Sequence, residues 1–208
     1  MENNDIIFKN IKIGCFGESS VGKTYFAKNY IKDIKDGFDL ATVGVEYFIT
    51  NRILSDGKNY KIKICDTAGQ ERHRSLAINT IRRCDGIILM YSITNRNSFE
   101  LISEWINNIY DLKDRETPII LIGNKCDLKD GREVSEEEGL ETAEKYKTKY
   151  FETSAKEGIN VEEAIDELIK KIITKKEEEE NSKDKKDNSI KLDKSKSINK
   201  VKFKCCGK

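Results

Sequence analysis

A glycine-rich segment from Gly17 to Thr24, with the sequence Gly-Glu-Ser-Ser-Val-Gly-Lys-Thr, leaves few folds open to this chain. It lies between a β-branched run, Ile11–Phe16, and a helical run that extends through Tyr30. In this order of strand, glycine loop and helix, successive backbone N–H groups and the helix N-terminus face phosphate oxygens. The segment therefore predicts a phosphate-binding loop between a buried strand and a helix.

The residue types inside this loop indicate how it would hold a nucleotide. The glycines let the backbone curl around the phosphates, and the Lys23 amine would neutralise the β- and γ-phosphates. The Thr24 hydroxyl would bind Mg²⁺. The loop indicates a nucleoside triphosphate but does not select the base. The candidate residues in it are Gly17, Ser20, Val21, Gly22, Lys23 and Thr24.

Short β-branched runs alternate with longer segments of helical period over the first 174 residues, which predicts an α/β fold. Asp56-Gly57 is a hairpin turn signal, so the second and third strands should run antiparallel. Helical patterns separate the other strands, which favours a six-stranded, mostly parallel sheet with one antiparallel strand and helices on both faces. The predicted strands are Ile11–Gly17, Val45–Leu54, Tyr60–Cys65, Gly86–Ser92, Ile119–Gly123 and Tyr150–Thr153.

Two apolar stripes at helical spacing predict helices that pack on this sheet. We interpret their residues, including the single tryptophan, as core rather than as site. One stripe is Phe99, Ile102, Trp105, Ile106 and Ile109, and the other is Val161, Ala164, Ile165, Leu168 and Ile172.

The segment Asn124-Lys125-Cys126-Asp127, which follows a predicted strand, indicates which base is bound. Guanine presents two donors on one edge, N1–H and the 2-amino group, and an ionised aspartate offers acceptors alone. Adenine would leave an acceptor of Asp127 unpaired, so this site would reject it. Asn124 can tie the segment to the phosphate loop, and the stem of Lys125 can cover one face of the ring.

With Asp66-Thr67-Ala68-Gly69-Gln70-Glu71 added, residues 9–174 resemble the Ras-like small GTPases, which have a P-loop NTPase fold. The resemblance implies that Asp66 holds Mg²⁺ through water and that the Gly69 N–H contacts the γ-phosphate. It also implies that Gln70 orients the attacking water. Thr42 resembles the switch threonine that joins the Mg²⁺ shell when the triphosphate is bound.

The segment Glu152-Thr153-Ser154-Ala155-Lys156 resembles the last guanine loop of that family, in which the Ala155 N–H meets the guanine carbonyl. The resemblance implies slow hydrolysis of GTP to GDP and phosphate, with Gln70 and Lys23 as catalytic residues. A transition-state arginine would come in trans from an activating protein. Through its contacts with Thr42 and Gly69, the γ-phosphate would order the two loops that contain these residues, and both loops would relax after hydrolysis.

Within that superfamily, Thr42-Val43-Gly44-Val45-Glu46 and the ending Cys205-Cys206-Gly207-Lys208 resemble the Rab family of vesicle-trafficking GTPases. This resemblance implies a monomeric G domain that recruits effectors when GTP is bound. Its other partners would be an exchange factor, a GTPase-activating protein and escort or dissociation-inhibitor proteins. Both Cys205 and Cys206 would be prenylated, which places the protein on the cytoplasmic face of an intracellular membrane, in exchange with the cytosol.

The composition of residues 175–208 differs from that of residues 1–174, so we divide the chain into a G domain and a polar tail. From Asn188 onward there are seven lysines against one aspartate. Such a segment is expected to be disordered and yet drawn to anionic lipid. Two lipid chains would make membrane attachment stable where one is marginal.

The net charge and the spacing of the cysteines exclude several further classes of function and site. Lys and Arg number 38 against 37 Asp and Glu, so the net charge of +1 excludes a polycationic nucleic-acid coat, and no nucleic-acid partner is expected. The six cysteines include no pair at C-x-x-C spacing. A disulfide framework or zinc site is therefore not expected, and a reducing compartment is.

The chain departs from the family pattern at several positions. Lys35 stands where an aromatic residue usually packs against guanine, although Phe38 lies three residues on. An aromatic triad on the switch surface would fall at Tyr47, Cys65 and Thr80, so two of its members are missing. His73 replaces a usual phenylalanine, and we interpret it as an exposed residue rather than as a base.

Two other classes of function remain open at this point. One is a poorly hydrolysing, nucleotide-loaded binding scaffold, which Gln70 argues against. The other is an adenine-nucleotide kinase or ATPase, which Asp127 argues against. A preference for ATP over GTP in a binding assay would identify the second class.

Overall fold

The computed structural model describes residues 9–32, 45–54, 56–67 and 74–197. Within these ranges the chain forms six strands and six α-helices, with a 3₁₀ turn at Lys129–Gly131. The strands are β1 (Lys9–Phe16), β2 (Val45–Ile53), β3 (Asn59–Thr67), β4 (Gly86–Ser92), β5 (Ile119–Asn124) and β6 (Lys149–Thr153). The helices are α1 (Lys23–Ile31), α2 (Arg74–Arg83), α3 (Arg96–Glu100), α4 (Ile102–Leu112), α5 (Glu136–Lys145) and α6 (Val161–Ser197).

The strands form one sheet in the order β2-β3-β1-β4-β5-β6. Only the β2–β3 pair is antiparallel within this sheet, and the other neighbours are parallel. Gly57 has a φ of 71°, and its N–H donates to the Leu54 carbonyl at 2.9 Å, which closes the predicted hairpin. The predicted α/β fold with one antiparallel strand is thus confirmed.

Strand β4 shows how helices cover both faces of the sheet, because all seven of its residues are buried. Ile87, Leu89 and Tyr91 point to the face where residues of α2, α4 and α5 form one apolar cluster. Gly86 points to the opposite face, where a Cβ on it would lie 2.6 Å from the Ile172 side chain of α6. The absence of a side chain at Gly86 therefore lets α6 pack close to the sheet.

Both predicted apolar stripes lie in the core. The first runs over α3 and α4, which are separated at Leu101; Ile102, Ile106 and Ile109 are buried, and Phe99 and Trp105 pack against them. All five residues of the second stripe are buried on α6. The apolar period thus predicts which faces of these helices pack on the sheet, and the Asn95 side chain caps α3 by accepting from the Ser98 N–H at 3.0 Å.

The backbone of α6 is helical as far as Ser197, beyond residue 174 where we placed the end of the G domain. The chain divides into two units between Ile172 and Ile173. The composition of residues 175–208 still predicts a separate polar tail, and both this boundary and the disorder of the tail stay predictions. Among the described helices, none has a stretch long and apolar enough to cross a membrane.

Ile88 of β4, which is fully buried, offers a test of how much the sheet core contributes to stability. We expect Ile88→Ala to lower the free energy of unfolding by about 2–5 kcal/mol, because the substitution leaves a cavity. Ile53→Ala on the edge strand, where the side chain is 73% exposed, should change it by less than about 1 kcal/mol. Equilibrium denaturation of both variants measures this difference, and equal losses would contradict the assigned core.

Candidate functional site

The predicted site residues converge because parallel strands end along one edge of the sheet. β1 ends before the glycine loop, β3 runs through Asp66, and β5 and β6 end in the two predicted guanine loops. The register pairs Cys15 with Asp66 and Asn124 with Thr153. Four segments that are distant in the sequence therefore meet at the carboxyl ends of their strands.

The glycine loop adopts backbone conformations that side chains disfavour. Gly17, Ser20 and Gly22 have φ values of 138°, 61° and 105°. A Cβ on Gly17 would lie 2.0 Å from the Met90 carbonyl oxygen, and one on Gly22 would lie 2.3 Å from the Asn124 Nδ2. Each glycine is thus required by its φ and also by a close neighbour.

Lys23 begins α1 with its side chain buried inside the loop. Its Nζ donates to the carbonyl oxygens of Gly17 at 3.0 Å and Glu18 at 2.7 Å. Burial lowers the pKa of this amine, and the charges of Asp66 and Glu18 nearby oppose that shift. The amine thus lies at the centre of the loop, where a phosphate would meet it.

Thr24 and Asp66 come together next to the lysine, although 42 residues separate them in the sequence. The Thr24 hydroxyl donates to Asp66 Oδ2 at 2.5 Å, and Asp66 is fully buried. The Thr67 hydroxyl donates to the Cys15 carbonyl at 2.9 Å, which holds this end of β3 against β1. A hydroxyl and a carboxylate are the hard oxygen ligands that Mg²⁺ prefers, so the residues present fit this ion.

The side chain of Asn124 joins three segments. Its Nδ2 donates to the Val21 carbonyl in the phosphate loop at 2.8 Å. Its Oδ1 accepts from the Thr153 hydroxyl at 3.0 Å and from the Ala155 N–H at 2.9 Å. The predicted tie to the phosphate loop is therefore present. Because Ala155 donates to Asn124, its implied contact with guanine requires that this N–H be shared with the base.

Asp127 is held from the other guanine loop. The Ser154 hydroxyl donates to Asp127 Oδ1 at 2.6 Å, so one carboxylate oxygen is oriented by the protein. Lys125 has a φ of 69°, and its partial burial lowers the pKa of its amine. Lys156 is exposed and lies 3.8 Å from the Glu157 carboxylate. The structure thus brings together all predicted residues of both guanine loops except the solvent-facing Lys156.

Sequence reasoning did not indicate the contacts that support the last guanine loop. Arg132 makes two hydrogen bonds to Glu152, at 2.6 and 2.8 Å, and these bonds raise the pKa of the guanidinium. The Tyr150 hydroxyl also donates to Glu152, at 3.2 Å. No spacing rule links Arg132 to Glu152, because their pairing depends on the β5–β6 crossover.

Trp105 also does more than the core role that we predicted for it. Its ring lies 6.1 Å from that of Phe16 between centroids, which agrees with packing. In addition, its Nε1 donates to Glu18 Oε1 in the phosphate loop at 3.2 Å. The helix α4 is therefore linked to the phosphate loop through this indole.

Several predicted residues lie outside the described ranges, and their roles stay predictions. They are Lys35, Phe38, Thr42, Gly69, Gln70, His73, Cys205 and Cys206. The positions of the expected aromatic triad are described: Tyr47, Cys65 and Thr80 line one surface cavity. Two of these three positions thus carry small side chains at a surface cavity.

Comparison with known proteins agrees with this geometry. The profile of the Ras family matches residues 12–174. The chain is 42% identical to the Ras-related protein Rab-8B of Homo sapiens over 171 residues, which cover 82% of this chain and 81% of the relative. It is 41% identical to Rab-8 of Diplobatis ommata, with 82% and 80% covered, and to Rab-8A of Rattus norvegicus, with 82% and 81% covered.

The chain belongs to the Ras family, in its Rab branch. It is a small GTPase that hydrolyses GTP and regulates membrane trafficking. Members of this family bind GTP and GDP together with Mg²⁺, and they act through regulators and effectors. The poorly hydrolysing scaffold and the adenine-nucleotide enzyme are therefore not favoured.

The Asn124 side chain offers a test of how the Rab-type site is held together. Asn124→Ala leaves three polar groups without their partner, so we expect the free energy of unfolding to fall by at least about 2 kcal/mol and GDP release to accelerate. The control is Asn107→Ala, on the exposed side of α4, which should change the unfolding free energy by less than about 0.5 kcal/mol. Denaturation and fluorescent GDP release measure both effects; similar behaviour of the two variants would refute the joining role of Asn124.

Proposed function

We propose that the four loops bind GTP and GDP with Mg²⁺ through the residues that converge at the sheet edge. Gly17, Ser20, Val21 and Gly22 would supply the backbone cradle for the phosphates. Lys23 would exchange its two loop carbonyls for β- and γ-phosphate oxygens, since its amine is already held at 3.0 and 2.7 Å from them. Thr24 and Asp66 would hold Mg²⁺, Asp66 through a water molecule, and the ion would offset phosphate charge.

The guanine base would be selected by Asp127, with Lys125, Ser154, Ala155 and Lys156 around it. The observation that carries this proposal is the 2.6 Å hydrogen bond from the Ser154 hydroxyl to Asp127 Oδ1. Because that bond orients the carboxylate, its remaining acceptors can face the N1–H and 2-amino donors of guanine. Adenine lacks this pair of donors on the matching edge.

Hydrolysis would depend on residues outside the described ranges. Gln70 would orient the attacking water, and the Gly69 N–H would contact the γ-phosphate. Thr42 would complete the Mg²⁺ shell in the triphosphate state. An activating protein would supply an arginine in trans, which is worth roughly 10³–10⁵ in rate. Loss of the γ-phosphate would then release the two loops that contain Thr42 and Gly69, together with the effectors bound to them.

Membrane attachment would come from the tail. Prenylation of Cys205 and Cys206, together with the seven lysines that follow Asn188, would hold the protein at an anionic membrane surface. The partners would then be an exchange factor, an activating protein, an escort or dissociation inhibitor, and effectors that bind the GTP form. The protein would work on the cytoplasmic face of an intracellular membrane and return to the cytosol with its escort.

Asp127→Asn tests the proposed selection of the base. The variant keeps an oxygen for Ser154 and replaces the second oxygen by an amide donor, which can pair with the 2-oxo group of xanthine. We expect GDP affinity to fall about tenfold to a hundredfold and XDP affinity to rise. Competition binding measures both. Asp130→Asn, on the exposed 3₁₀ turn, is the matched control and should keep its guanine preference; retained preference in Asp127→Asn would reject the assignment.

Gln70→Leu tests the proposed positioning of water. We expect the GTP dissociation constant to stay unchanged, because the phosphate loop and guanine loops are intact. The phosphate-release rate in the presence of an activating protein should fall to that of the unstimulated protein. Single-turnover phosphate release and GTP binding on the same variant separate the two effects. A stimulated rate equal to that of the wild type would contradict the role of Gln70.

A further inference from the structure

One row of residues across β4, β5 and β6 lies directly before the guanine loops and has a glycine at its centre. Tyr91 pairs with Gly123, and Gly123 pairs with Glu152, so the three residues share one face of the sheet. The next pair along β5 and β6 is Asn124 with Thr153, whose side chains are hydrogen-bonded to each other. This row is therefore one residue away from the contacts that join the nucleotide loops.

The hydroxyl group of Tyr150 lies in a slot that two glycines leave open. Tyr150 is two residues before Glu152 on β6 and faces the same side of the sheet. A Cβ on Gly123 would lie 2.6 Å from Tyr150 Oη and 2.8 Å from Tyr91 Oη. A Cβ on Gly139 of α5 would also lie 2.6 Å from Tyr150 Oη. The missing side chains of β5 and α5 thus give the two hydroxyl groups room to meet.

Hydrogen bonds run from Tyr91 through Tyr150 to Glu152. The two Oη atoms are 2.9 Å apart, and Tyr150 Oη donates to Glu152 Oε1 at 3.2 Å. A tyrosine hydroxyl has one proton, so Tyr91 is the donor to Tyr150. Burial raises the pKa of Tyr91 to about 12 and raises the pKa of Tyr150 as well. Both hydroxyl groups therefore keep their protons at neutral pH, and both bonds keep this direction.

The Glu152 carboxylate that accepts from Tyr150 also connects the two guanine loops. Arg132 donates to its Oε1 and Oε2 at 2.6 and 2.8 Å. Arg132 follows the first guanine loop in the chain, and Glu152 comes directly before Thr153 and Ser154 of the second. The side chain of Glu152 is only 14% exposed, so solvent screens these bonds weakly.

The position of Glu152 affects how the base-selecting carboxylate is held. The Ser154 hydroxyl donates to Asp127 Oδ1 at 2.6 Å, and the Cys126 N–H donates to the Thr153 carbonyl at 3.0 Å. Thr153 and Ser154 follow Glu152 in the chain, so a shift of Glu152 displaces them relative to Asp127. Hydrogen bonds weaken steeply when their distance and angle depart from the optimum. Guanine contacts therefore depend on where Glu152 is fixed.

We propose that Tyr150 is a positioning residue for guanine recognition. Its hydroxyl group, oriented by Tyr91, fixes the Glu152 carboxylate and thereby sets how well Asp127 holds the base and how long GDP stays bound. Tyr150 acts through Glu152 rather than through a contact with the nucleotide. This inference rests on the proposed selection of guanine by Asp127.

A purely structural role of Tyr150 predicts a different result. The Tyr150 ring packs against the apolar cluster, and Tyr150→Phe keeps this ring while it removes the hydroxyl group. A hydroxyl that contributed to stability alone would change the affinity for every nucleotide by the same factor. A positioning hydroxyl changes the discrimination between bases. IDP provides the comparison, because it differs from GDP in lacking the 2-amino group, one of the two donors that Asp127 would accept.

The test uses the full chain and measures the dissociation constants of GDP and IDP together with the release rate of fluorescent GDP. We expect Tyr150→Phe to speed GDP release about threefold to tenfold and to lower the ratio of the IDP to the GDP dissociation constant by at least about twofold. Tyr110→Phe is the matched control, because the Tyr110 hydroxyl donates to the Tyr146 carbonyl at 3.3 Å and not to a guanine loop. The control should keep both the rate and the ratio.

A second arm tests whether Tyr150 acts through Glu152. Glu152→Ala should speed GDP release by itself, and Tyr150→Phe should add less than about twofold in that background. An equal effect of Tyr150→Phe in both backgrounds would overturn the proposal. The nucleotide ratio of Tyr150→Phe decides by itself where Glu152→Ala does not fold.

The unmodified chain separates this inference from the function on which it rests. Equal affinity of that chain for IDP and GDP would overturn both the proposed selection of guanine and the positioning role. A preference for GDP that Tyr150→Phe retains in full would overturn the positioning role alone.

Discussion

The hydrogen bonds of the Asn124 side chain are the interaction on which the nucleotide site depends. One amide group satisfies the Val21 carbonyl, the Thr153 hydroxyl and the Ala155 N–H at 2.8, 3.0 and 2.9 Å, all in a buried position. Such groups cost free energy when they are left without partners inside a protein. The phosphate loop and the two guanine loops are therefore held in one arrangement, and Gly22 must lack a side chain for Asn124 to approach.

Two buried groups of opposite charge lie together at the phosphate loop. Lys23 and Asp66 are both buried, and the charge of Asp66 opposes the lowering of the Lys23 pKa by burial. The lysine rests on backbone carbonyls, and the aspartate accepts from Thr24. Phosphate oxygens would thus meet donors that are already oriented, which is how such sites stabilise developing charge without reorganisation.

Support for these loops comes from contacts that surround them. Arg132 pairs with Glu152, the residue directly before Thr153 and Ser154 in the chain. The Trp105 indole donates a hydrogen bond to Glu18 in the phosphate loop. Gly14 in β1 also needs to lack a side chain, because a Cβ on it would lie 2.8 Å from Cys84 Sγ. Glycines in and next to β1 thus decide how closely the phosphate loop and Cys84 can pack.

The sequence by itself determined the sheet, its antiparallel edge, the apolar stripes and the composition of the phosphate and guanine loops. These follow from local rules: side-chain period, turn residues, and the chemistry that phosphate and guanine demand. It also indicated that Asn124 could reach the phosphate loop. Only the tertiary structure decided the partners of Ala155, Trp105 and Arg132 and the packing of Cys84 against Gly14. Those contacts join segments from different strands and helices, and their geometry depends on strand register and helix packing, which no local spacing encodes.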